Sequence, residues 1–159
     1  MADVREEILS QMATIIAGLS ATVFGATTVF ATTARNRGEL TSVARPALIL
    51  LDNDEVIDDR VTPRGRGSTA ARVMTMSPEV AIVLGGREPQ NTDVGEDLNA
   101  MRLTVVKAIA TDATLLSLVG VNGDIQYGGL VTDLGWHRSM EGIMVLSFLI
   151  NYTFRIADL

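Results

Sequence analysis

Val4, Ile8, Met12, Ile15 and Leu19 recur at steps of four, four, three and four, while Arg5, Glu6 and Gln11 fall between them. That spacing places the apolar residues on one side of a helix and predicts an amphipathic first helix. Gly18 and Gly25 flank a break, after which TTVFATTAR carries β-branched and aromatic residues suited to a pleated surface and predicts a first strand. A second strand, ALILLD, begins behind Pro46. Ala47 to Leu51 are apolar at both parities, so this strand is expected to be central or covered on both faces. Ala70–Met76 and Glu79–Leu84 read as two further strands across Ser77 and Pro78.

Asp93 followed three residues later by Glu96 has the form of a capping box. Leu98, Met101, Val105 and Ile109 then mark the apolar stripe of a second helix, and Thr111–Val119 continues it as a short helical turn ending at Gly120. The C-terminal segment alternates most regularly. Met144, Leu146, Phe148, Ile150, Tyr152, Phe154 and Ile156 occupy every even position, with Ser147, Asn151, Thr153 and Arg155 between them. At about 3.3 Å per residue, such a strand reaches roughly 40 Å, far enough for a bulge or a projection past the sheet. Asp124–Asp133 is its expected partner, joined through GWHRSMEG. Helix, strands, helix and two strands indicate an α+β domain spanning 1–159, a mainly antiparallel β-sheet with two principal helices packed on one side.

The stretch from Ile8 to Ala34 carries no charge and is long enough to cross a bilayer of about 30 Å. Its many Ser, Thr and Gln residues and its change of period favour a helix followed by a strand, so no membrane partner is expected. MADVREEI has no basic region ahead of an apolar run, which predicts that the chain stays in the compartment where it is made. The 159 residues suffice for one core, and the absence of cysteine excludes disulfides and thiolate chemistry. A formal charge of −6 is the wrong sign for gripping phosphate backbones. Lys107 is the sole lysine among thirteen cations, a skew that suits forked pairing with carboxylates at subunit contacts or reflects base composition.

Candidate chemistry is sparse. His137, the one histidine, follows Trp136 in a predicted turn, and no G-x-S-x-G motif supplies a nucleophile, so no catalytic residue is assigned. Asp52, Asp54, Glu55, Asp58 and Asp59 make an acidic loop. Its D-N-D opening is similar to the start of an EF-hand, but Val56 and Ile57 stand where the glycine turn belongs, so no metal site is assigned. GRGST at 65–69 lacks the spacing and lysine of a phosphate-binding loop, and no cofactor is expected. Arg60, Arg64, Arg66 and Arg72 lie in or beside the same exposed loop. With the acidic residues ahead of them, Asp58, Asp59, Arg60, Arg64, Arg66 and Arg72 are the candidate subunit or partner interface.

In order of elements, REEILSQMATIIAG, the strand running into ARNRGEL, ARPALILLDNDEV and the closing GIMVLSFLINYTF resemble the tail terminator (tail completion) proteins of long-tailed bacteriophages. The resemblance implies a structural virion protein, not an enzyme. It forms a homohexameric ring at the head-proximal end of the tail tube, halts tube growth and joins the tail to the head connector. The implied partners are further copies of the chain, the tail tube protein, the connector and genomic DNA passing through without sequence-specific binding. The implied location is the virion tail or neck, after synthesis in the host cytoplasm. Another neck or tail-tube ring protein is the alternative within the same biology, and a small soluble enzyme or ligand-binding domain the alternative outside it.

Overall fold

The computed structural model describes residues 3–23, 26–36, 44–57, 71–84, 94–134 and 142–154. Helix α1 spans Val4–Ala17; its N-cap, Asp3, accepts a hydrogen bond from the Arg5 amide, and Glu6 and Glu7 sit in its first turn. An acidic first turn complements the positive end of the helix dipole. Strands follow at Ser20–Val23 (β1), Ala26–Val29 (β2), Thr32–Arg35 (β3), Ala47–Leu51 (β4), Glu55–Ile57 (β5), Arg72–Met76 (β6) and Glu79–Leu84 (β7). Helices α2 (Val94–Thr111) and α3 (Ala113–Val119) precede the closing strands β8 (Asp124–Leu134) and β9 (Gly142–Phe154).

The fold is α+β, with a seven-stranded, mostly antiparallel sheet and three helices. Its seven strands lie along five lines. β6 and β7 both pair antiparallel with β9 in one register, from Arg72 opposite Phe154 to Leu84 opposite Gly142. Ser77 and Pro78 continue that line, and the Phe148 amide donates to Pro78 O at 3.0 Å. On the far side, β4 pairs with β7 and β5 with β6. Leu51 lies opposite Glu79 and Glu55 opposite Met76, so β4–β5 holds one residue more than its partner between these pairs. The excess is taken up at Asp52–Asp54, where Asn53 adopts φ 50°, as a β-bulge would do. β3 runs parallel to β4 at one end of the sheet, and β8 pairs antiparallel with β9 at the other.

The helices pack over one face, α1 on β3 and β4, α2 on β7 and β9, and α3 on β8 and β9. Beneath them lies the main core, including Leu48, Leu50, Val80, Ile82, Leu146, Phe148, Ile150 and Tyr152 from the sheet. All four residues of the expected α2 stripe, Leu98, Met101, Val105 and Ile109, are fully buried there. On α1 the buried set is Ile8, Leu9, Met12 and Ile16, with Val4, Ile15 and Leu19 only partly buried. The opposite face holds a smaller buried cluster of Ala47, Ile49, Ala81 and Val83, which explains why β4 is apolar at both parities.

Three expectations are corrected. The expected strand TTVFATTAR falls in two elements: β2 joins β1 in a separate two-stranded sheet, whereas β3 joins β4. Phe30 turns into the main core between them, and the Ala31 amide bonds to Pro46 O, so tertiary burial divides a run that local propensity treats as uniform. The acidic stretch is not loop throughout, because Glu55–Ile57 forms β5. α3 is a separate helix rather than a continuation of α2: the Asp112 carboxylate accepts from the Leu115 amide at 2.7 Å and from Gln11 Nε2 at 3.1 Å, capping α3 and tying it to α1. Asp93, Trp136, His137 and Ile156 lie outside the described residues.

Candidate functional site

Two surfaces stand out, one polar and one apolar. The polar one is built on the bend between β4 and β5, which brings Asp52 toward β3 and Glu55 toward α1 and β9. Arg35, ending β3, forks onto both oxygens of Asp52 (2.7 and 2.7 Å) and both oxygens of Glu6 on α1 (2.6 and 2.8 Å). Asn36, at φ 53°, accepts from the Asp52 amide and closes the corner. Beside it, Arg5 Nη2 donates to Asn53 O at 3.0 Å, and Arg5 Nε stands 3.0 Å from Glu55 Oε2 as a charge contact without hydrogen-bond alignment. The Tyr152 hydroxyl, nearly buried, donates to the other oxygen of Glu55.

These contacts set the ionisation of the corner. Hydrogen bonding to Arg35 holds Glu6 down from 4.5 to about 2, and the same guanidinium lowers Asp52. Arg35 is in turn raised by its two carboxylate partners. Burial, then the bond to the Glu55 carboxylate, pushes the Tyr152 phenol up. Carboxylates depressed in the folded state stabilise it above their unfolded pKa and lose that contribution as pH falls through the folded value. Arg35→Met is therefore expected to flatten the pH dependence of urea unfolding between pH 4.5 and about 2, because it removes the cation responsible for both depressions. Equal losses in the parent and the variant over that window would show that the corner is not coupled to folding. The arrangement is a brace joining α1, β3 and the bend. Among the described residues, no group of three or more His, Cys, Asp or Glu is placed to hold a metal.

The brace changes the reading of the acidic run. Asp52 and Glu55, expected as part of an exposed acidic loop, are engaged by Arg35 and Arg5 of the same chain. Of the candidate interface residues, Arg72 begins β6 opposite Phe154, whereas Asp58, Asp59, Arg60, Arg64 and Arg66 lie outside the described residues.

The apolar surface lies at the opposite end of the sheet. β8 is eleven residues long and, among the described residues, pairs only with β9. Tyr127 and Leu130 lie opposite Phe148 and Leu146, on the helix side, and remain 37% and 38% exposed; Val131, opposite Val145 on the other side, is 70% exposed, and Leu149, on that same side of β9 opposite Gln126, is 39% exposed. No charge falls between Asp124 and Asp133. Sequence reasoning placed this strand but overlooked its surface. The signal was the uncharged run IQYGGLVT, whose apolar members fall on both faces once the ladder shifts register between Tyr127 and Gly129.

No protein-family model matches the chain, and no curated protein is significantly similar to it. The functional reading therefore rests on the surfaces just described and on the order of elements. Among the described residues, no helix is long and apolar enough to cross a membrane.

Proposed function

We propose that this chain is a structural virion subunit that assembles as a ring at the head-proximal end of a bacteriophage tail tube, ends tube polymerisation and joins the tail to the head connector. The observation that carries the reading is the long β8 edge, uncharged from residue 125 to residue 132, with apolar side chains exposed on both faces. Soluble proteins normally blunt such an edge with charge, proline or a covering element, because its free amide and carbonyl groups template another strand. An edge left open over this length suits a subunit whose working state is an assembly. The resemblance of the sequence to tail terminators supports the same reading.

A closed ring needs unlike patches that meet and repeat by rotation. Apolar area at the contact provides most of its stability, since exposed ion pairs contribute only about 0 to 1 kcal/mol each. The partners in this reading are further copies, making six in all in the resembled family, together with the tail tube protein and the connector. The charge of −6 suits a conduit from which DNA is repelled rather than held. Native mass spectrometry and negative-stain imaging of the purified chain, with and without tail tubes, are expected to show single rings that cap tube ends. Stacking into tubes would assign the chain to the tube instead, and failure to associate with itself or with tubes would end the reading.

A further inference from the structure

We infer that neighbouring copies join by continuing the sheet, the β8 edge of one pairing antiparallel with the β3 edge of the next, with Leu130 seated in a recess between α1 and β3 of that next copy. This inference rests on the proposed ring and specifies its contact.

Three independent features of the molecule converge on it. The first is that both ends of the sheet are open: among the described residues, β3 pairs only with β4, and β8 only with β9. The second is direction. β3 is parallel to β4, and three antiparallel steps lead from β4 through β7 and β9 to β8, so β8 runs opposite to β3. Copies related by rotation about a ring axis keep the same sense, which brings the two edges together antiparallel, the more stable pairing. The bulge at Gly128, unpaired between Tyr127 and Gly129, interrupts the β8 edge and leaves Gly129–Leu134 as a continuously paired segment longer than the four residues of β3.

The third feature is shape. A continuous sheet puts the helix layers of adjacent copies on the same side. On that side of β3 lies an open recess of about 220 Å³, lined by Ala13, Ile16 and Ala17 of α1 and by Thr33, Ala34 and Arg35. Leu130 projects from β8 toward the helix side and is partly exposed. The recess accepts a branched aliphatic side chain, and its small residues let the incoming strand approach. An unlike contact of this kind uses each edge once per copy and propagates, whereas β8 meeting β8 closes a dimer.

The absence of native cysteine makes the test direct. Thr33 and Thr132 are exposed and face the helix side, opposite Leu48 and Met144. Within one molecule four strand spacings, about 19 Å, separate their strands. A disulfide spans Cα atoms no more than about 7 Å apart, so any bond between these positions links two copies. Thr33→Cys/Thr132→Cys, oxidised or treated with a short bismaleimide in the presence and absence of tail tubes, is expected to give a non-reducing ladder up to the ring size. Neither single variant should link. Dimers from Thr132→Cys alone would overturn the inference in favour of β8 self-pairing. Rings without a ladder would overturn edge pairing while leaving the ring intact, and a ladder in open filaments would do the reverse. Ala17→Trp fills the recess from an exposed position and is expected to weaken assembly about tenfold or more with unchanged melting; unchanged assembly would overturn the role of the recess.

Discussion

Phe148→Ala is expected to destabilise the fold by about 3–5 kcal/mol, the cost of emptying a large aromatic site in a packed core. Phe148 is fully buried on β9 beneath the helices, and its ring meets Tyr127 edge-on at 6.0 Å and 61°. Both the transfer free energy and this ring contact are lost, and the surrounding residues are held by their own strands and helices, so collapse into the void is limited. For a chain of this length the loss corresponds to a fall of roughly 10 °C in melting temperature. Leu149→Ala, one position along on the opposite face and 39% exposed, is the matched control and is expected to cost less than about 1 kcal/mol. Urea unfolding of the two variants side by side checks both numbers. Similar losses would mean that both faces of β9 are packed alike, against a helix layer on one face only.

Gly123→Ala is expected to cost about 3 kcal/mol by a different route. Gly123 turns the chain from α3 into β8, its amide donating to Gly120 O at 3.0 Å. A Cβ there would stand 2.6 Å from Asn151 O and closer still to Val119 O, both main-chain atoms of packed elements. No rotamer change relieves such a clash; α3 or β9 must shift. Gly120, three residues earlier, supplies the comparison. It sits at φ 78°, ψ −179° with nothing near a prospective Cβ, so Gly120→Ala meets only the backbone penalty of a region that glycine alone adopts readily, about 1–3 kcal/mol. Thermal melts of both variants against the parent are the measurement, and a Gly123→Ala protein as stable as the parent would sink the close approach. Because Gly123 aims the start of β8, its variant is also expected to impair ring assembly.

The polar corner and the sheet edge differ in how far residue patterns reveal them. Arg35, Glu6 and Asp52 are ordinary charged residues in sequence, and nothing local distinguishes them from a solvated surface. They become a brace only because β3 lies parallel to β4 and α1 crosses above both. For the same reason the acidic run looked like a partner-facing loop, although two of its carboxylates are engaged within the chain. The β8 edge was closer to visible. Its uncharged run is plain to see, but whether a strand is central or terminal depends on strand order, which periodicity does not encode.

The α2 stripe, the alternation of β9 and the doubly apolar β4 are legible from residue spacing alone, because repeat spacing maps directly onto the buried face, or both faces, of a helix or strand. The α+β class is legible in the order of those elements. That β6 and β7 form one line along β9, that β4 and β5 bend together at Asn53, and that Phe30 divides β2 from β3 emerges from the folded chain and from no local pattern. The reason is that strand pairing depends on hydrogen-bond partners far apart in the chain. A side chain's pattern states which face it prefers, but not which neighbour will lie beside it.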